Sequence, residues 1–187
     1  LAGMLRVPRW TGVPFQDRVD AWQRPVSLAF AVAAVGLWAA LVAQPGSSDP
    51  LPFVPLLNPV ELVASGLLVV LAHWLWTGVA PPALHRQRNA LVALLVFTTL
   101  SAMTLRGVHH YAGIAWSGSM LDTALAQSSL TLLWSVLGVV AWIIGSRRGQ
   151  HAVWLVGAIA MGVVLLKLVV VDRQHLGNLA GIASFIG

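Results

Sequence analysis

Residues 104–122, TLRGVHHYAGIAWSGSMLD, place an arginine, two adjacent histidines, a tyrosine, a tryptophan and an aspartate between two apolar runs. An imidazole that titrates near neutral pH, paired with a carboxylate that fixes its tautomer, is an acid–base device. A guanidinium beside it can grip an anion through two parallel hydrogen bonds. Arg106, His109, His110 and Asp122 supply such groups here; Glu61, Lys167 and Asp172 supply more elsewhere in the chain. Arg106 and His110 are four apart and share a face of any helix that runs that far, although Gly107 weakens such a helix. Adjacent histidines seldom aim at one ion, and the chain has no HxxxH or HExxH spacing. Neither a metal nor a cofactor is expected. With no cysteine, disulfides and thiolate chemistry are excluded.

Lys167 lies in VVLLKLVVVD, where an ammonium in hydrocarbon is expensive. It either reaches outward to the headgroups or pairs with a carboxylate such as Glu61; Asp172 is five positions on, too far round the helix for an ideal pair. His73, in LAHWLW, reads as an imidazole bonded to a neighbouring helix. Gln127, Thr131 and Ser135, followed by Gly138, form a small polar stripe that suits close helix approach better than a polar pathway; Ala158 and Gly162 form a second such pair.

The elements that carry these groups are apolar. Of 187 residues, 58% are hydrophobic and 9% charged, against about 25% charged in ordinary soluble domains. Mean hydropathy is +0.81. Lipid, not water, is therefore the solvent for most of the chain. Five runs (25–44, 59–80, 89–105, 124–145 and 152–171) can each cross a bilayer core, and a sixth begins near Asn178. Backbone groups in lipid must be satisfied within the segment, so the runs are helices. The fold class is all-α, a polytopic transmembrane helix bundle with five complete spans and the start of a sixth. Residues 1–24 form a cytoplasmic or interfacial connector, and 25–187 form the bundle, part of a longer chain.

Alternate connections hold eight of the eleven basic residues (Arg6, Arg9, Arg18, Arg24, Arg86, Arg88, Arg147 and Arg148). The positive-inside rule then puts the N-terminus in the cytoplasm and the histidine-rich connection outside. Basic residues scattered in ones and twos are topology signals and do not form a nucleic-acid surface. Asn58-Pro59-Val60-Glu61 has the spacing of a capping box at a helix start, as does Ser119-Met120-Leu121-Asp122. Pro81-Pro82 stops the second helix.

PLLNPVEL (55–62), QSSLTLLWSVLGVVAWIIGSRR (127–148) and VVLLKLVVVDRQHLGNLAGIASFIG (163–187) resemble the C-terminal membrane part of the large bacterial polytopic proteins grouped as domain of unknown function 2339. The matching positions are Gln127, Trp134, Gly145, Lys167, Asp172, Ser184, Phe185 and Gly187; the family's usual arginine three residues before the serine is Gly181 here. The resemblance covers most of residues 50–187 and implies a longer parent with further membrane helices in a bacterial inner membrane. It implies no particular activity. The residues' own chemistry supports a polytopic envelope protein whose outward polar cluster (Glu61, Arg106, His109, His110, Asp122, Lys167, Asp172) binds a small polar or lipid-linked ligand, in transport or envelope processing. Two alternatives stand beside it: a periplasm-facing enzyme with a His–carboxylate pair, and a purely structural bundle. The partners are the lipid bilayer, further helices of the parent, and that ligand; nucleic acid is not among them.

Overall fold

A computed structural model describes residues 16–47, 52–149, 151 and 153–166; for 16–21 only the backbone is described. The described residues are helical with no strand: α1 (Gln16–Val42), α2 (Pro59–Trp76), α3 (Pro82–Arg86), α4 (Arg88–Ala112), a short 3-10 helix (Gly118–Asp122), α5 (Ala124–Arg147) and α6 (Val153–Leu166). The all-α bundle expected from the sequence is the observed fold class.

Four helices are long and apolar enough to span a bilayer: Trp22–Val42 within α1, then α2, α4 and α5. The shortest, α2, has 18 residues, a rise of about 27 Å against a hydrocarbon core of about 30 Å. Only 11–28% of each apolar window is buried within the protein. Most of the apolar surface of these helices is therefore left exposed by the protein's own packing. The fifth expected run begins as α6 at Val153, and its continuation past Leu166, like the sixth, lies outside the described residues.

The chain divides into two compact units, one up to Trp116 and one from Ser117 onward. In the first, α1 packs on α2, and α2 on α4. On α1 the buried positions Ser27, Ala31, Ala34 and Trp38 recur at helical spacing and form one inward stripe. Ala31 and Ala34 meet Leu71, Trp74, Leu75 and Ala80, with Leu91, Val92 and Leu95 of α4 against them. Small residues on α1 let the large α2 side chains approach closely, which is how helices associate without a hydrophobic drive in lipid. Farther along, the Trp38 indole donates to the Thr99 hydroxyl of α4 at 3.1 Å, and that hydroxyl donates back to Leu95 O at 2.7 Å.

Helix α2 stops at Trp76, capped by Thr77, five residues before the proline pair expected to end it. The Thr77 hydroxyl donates to Trp74 O at 2.6 Å, so the helix ends on a local cap. Pro82 instead opens α3. There His85 Nδ1 donates to Leu75 O at 3.0 Å, and Arg88 Nη1 donates to His85 Nε2 at 2.5 Å, closing this end of the unit. His73 is exposed and makes no side-chain hydrogen bond among the described residues. The expected inter-helix imidazole bond is therefore not formed there.

In the second unit, α5 is capped by Thr123, whose hydroxyl accepts from Ala126 N. Asp122 is exposed on the 3-10 helix and does not cap α5, contrary to the capping-box spacing. α5 and α6 run antiparallel at very short range. A Cβ on Gly145 would stand 2.3 Å from Trp154 N, one on Gly157 2.6 Å from Trp142 N, and one on Gly138 3.2 Å from Met161 Cγ. At Gly138, the end of the expected stripe, the two helices are in close contact. On α6 the close approach falls at Gly157, not at Gly162, which has open space around it.

Gly145→Val is expected to separate α5 from α6 and to cost about 1–3 kcal/mol. Gly36→Ala, at a position with nothing within 4 Å, should be neutral or stabilising by up to about 1 kcal/mol. Thermal unfolding of both variants in detergent checks the contrast.

Candidate functional site

Helix α4 continues seven residues past the expected end of its run, through Gly107, and terminates at Gly113 with φ 65°. Arg106, His109, His110 and Tyr111 are therefore on helix, not in a loop. The left-handed turn at Gly113 brings the chain back toward α1, so that Trp116 joins the same end of the unit.

What they meet is the C-terminal end of α1 and the chain that leaves it. The last carbonyls of any helix lack intrahelical partners, and in a membrane water does not replace them. Here six consecutive carbonyls accept from side chains. Arg106 Nη2 donates to Leu41 O at 2.6 Å and Val42 O at 3.3 Å, and its Nε donates to Gln44 O at 3.0 Å. Trp116 Nε1 donates to Ala43 O at 2.9 Å. His110 Nε2 lies 3.1 Å from both Pro45 O and Gly46 O, and Asn58 Nδ2 donates to Gly46 O at 2.6 Å. Gly46 has φ 72°, and a Cβ there would sit 3.1 Å from Arg106 Cδ. Only glycine suits that position.

Arg106 and Glu61 are both fully buried, with Arg106 Nη1 3.8 Å from Glu61 Oε1. Neither of these two atoms has a hydrogen-bond partner among the described residues. Their attraction is therefore between charges at 3.8 Å, not a direct hydrogen bond. The other carboxylate oxygen, Oε2, accepts from Leu56 N at 2.6 Å. Asn58 caps α2 by accepting from Val60 N at 2.8 Å, as the sequence suggested. Glu61 does not complete the capping box, because its carboxylate is taken up by Leu56 and Arg106.

An aromatic layer covers this polar knot. The His110 ring stacks on Phe53 with centroids 4.1 Å apart and planes 15° from parallel. The Tyr111 hydroxyl donates to Phe53 O at 3.2 Å. His109 and His110 have centroids 4.7 Å apart, and Trp116 lies edge-on to His109. Carbonyls only accept, so the bonds fix both tautomers. His109 donates through Nδ1 to Ile114 O at 2.5 Å, and His110 donates through Nε2. His109 Nε2 and His110 Nδ1 are left without a proton when the rings are neutral. Neither imidazole bonds a carboxylate among the described residues.

Of the residues singled out in the sequence, Glu61, Arg106, His109 and His110 come together at one end of the first unit, with Arg86 and Arg88 at the other. Asp122 belongs to the second unit. Lys167 and Asp172 lie outside the described residues. Among the described residues no group of three His, Asp or Glu side chains is placed to hold a metal. Sequence reasoning placed Trp116 in the cluster but missed its bond to Ala43 O, Asn58 as a donor to Gly46 O, Gly46 itself and the Trp38–Thr99 bond. The Pro45-Gly46 pair in QPGSS was the signal of a turn present in the sequence.

This is a helical membrane protein with a buried polar knot at one end of its first three spans. The chain belongs to the family described as Predicted membrane protein (DUF2339), whose model matches residues 2–187. No curated protein and no solved structure matches it.

Arg106→Met removes the cap from three carbonyls and leaves Glu61 buried without a counter-charge, an expected loss of about 3–5 kcal/mol. Glu61→Gln keeps an acceptor for Leu56 N and should cost less. Equilibrium unfolding in detergent or lipid measures both; equal losses would mean that the carbonyl cap contributes nothing.

Proposed function

We propose that this chain is a structural part of a multi-pass protein of the bacterial inner membrane, and that its polar cluster is an internal clasp that locks three spans together at the outward end. The observation that carries this reading is the unbroken row of capped carbonyls from Leu41 to Gly46. A ligand site keeps donors free to meet its ligand; here His110, Trp116 and Asn58 donate to the backbone, as do Nε and Nη2 of Arg106, whose remaining Nη1 is buried facing Glu61. The orientation rests on the arginine bias: Arg86 and Arg88 mark the cytoplasmic end, and the only arginine at the other end of α4 is buried. A clasp of this kind gives the longer parent a rigid platform on which further helices assemble.

A second reading has one observation in its favour. His109 Nε2 and His110 Nδ1 retain lone pairs at the half-buried outer surface, where a small polar or lipid-linked ligand would find acceptors. The two readings part on a paired measurement. For His109→Ala, His110→Ala and Tyr111→Phe, the clasp predicts that complementation of a gene-deletion phenotype falls only as far as the unfolding midpoint falls. A variant that folds as stably as the parent protein and yet fails to complement would overturn the clasp and favour the ligand. A cysteine at position 110, in a chain with no other cysteine, should react with impermeant reagent from outside only.

A further inference from the structure

Between α1 and α2 the chain makes a tight turn, Val54-Pro55-Leu56-Leu57, closed by Leu57 N donating to Val54 O at 3.2 Å. Proline at the second position and a positive φ at the third are the arrangement of a type II turn. The third position of such a turn ordinarily takes glycine or asparagine, because a side chain is strained there. This chain has Leu56, with φ 69°, the one non-glycine residue with positive φ among the described residues. Its strain is held in place from below by Glu61 Oε2 on its amide.

Nothing among the described residues rewards a leucine at this site. Leu56 is 63% exposed, Leu57 67% and Val54 43%. Glycine would relax the backbone, and a polar residue would suit water. A strained, exposed, apolar residue points to a contact outside the protein. The turn joins the C-terminal end of α1 to the N-terminal end of α2, both membrane spans, so it stands where headgroups meet acyl chains. Its apolar surface continues the lipid-facing surface of those helices. Beside it the Tyr111 ring is 67% exposed, with its hydroxyl bonded to Phe53 O; an apolar ring with a polar tip suits that boundary. The turn itself offers three exposed aliphatic side chains with one tyrosine beside them, far short of the roughly 800 Å² that each partner contributes to a stable protein interface.

We propose that the Val54–Leu57 turn is an interfacial anchor: Leu56 and Leu57 insert into the headgroup–acyl boundary of the leaflet at this end, and Glu61 holds the backbone that presents them. The occupant of this surface is phospholipid. The role adds to the clasp and does not depend on it, since the turn is exposed whether or not the histidines bind a ligand.

A nitroxide on Leu57→Cys, in vesicles of phosphatidylcholine and phosphatidylglycerol, reports the depth. Labels on Gly78→Cys, in the connection at the other end of α2, and on Leu94→Cys, exposed on α4, give the water and hydrocarbon references. The expected result is a mobile label at position 57 that keeps its oxygen collisions and loses most of the nickel-chelate collisions seen at position 78. A position-78 profile would overturn the proposal by placing the turn in water. An immobilised label shielded from both reagents would overturn it by placing protein on the turn. Independently, Leu56→Gly should leave the unfolding midpoint in detergent unchanged or raised; a fall would show that the protein itself uses this side chain, and would equally sink the inference.

Discussion

The first unit depends on a guanidinium placed where a membrane helix ends. A helix that stops in or near hydrocarbon leaves carbonyls whose solvation is lost. The ordinary remedies are water, a following turn or a neighbouring donor. Arg106 is the neighbouring donor, and it is suited to the task because one planar group reaches Leu41, Val42 and Gln44 together. A lysine, with one compact charge centre, does not offer that fork. The cost is a buried charge, which Glu61 offsets from the adjacent helix. Three spans are thereby tied at one point, and the rest of the unit follows from that tie: α4 has to run long enough to deliver Arg106 and His110, and Gly46 has to be glycine to let them in.

The second unit solves the same problem of association by other means. Among the described residues no ion pair links α5 to α6; glycines at 138, 145 and 157 bring the two backbones almost into contact. In lipid, where apolar surface gains little by pairing with more apolar surface, close packing is the remaining attraction. Polar capping at a helix end and glycine packing along a helix are complementary devices, one specifying where helices meet and the other how closely.

Much of the fold was legible because membrane helices leave a coarse signal. Long apolar runs and Asn58 before Pro59 each have one physical reading, and at Gly138 packing outweighed a polar pathway. The end of α4 was not legible. Hydropathy drops at Arg106, so the run seemed to stop there, whereas the polar side chains that lower it are the ones that hold the helix against α1. Asp122 misled for a related reason: the capping-box spacing was present, but Thr123, one residue on, won the position. The site residues were recognised by type and misread by direction. Composition shows that an arginine and two histidines gather at one place, but not whether their donors face a ligand or a backbone carbonyl. His73, read as bonded to a neighbouring helix, is exposed and has no such bond among the described residues.

Direct measurement of the tie itself decides the matter. Rotational-echo double-resonance NMR on the protein in bilayers, with ¹⁵N at Arg106 Nε and ¹³C at the Gln44 carbonyl, reads their separation without any functional assumption. The N···O distance of 3.0 Å with a carbonyl bond of about 1.2 Å predicts a nitrogen–carbon separation of about 4 Å. A separation beyond about 6 Å, too long for any hydrogen bond between these groups, would contradict the account at its base.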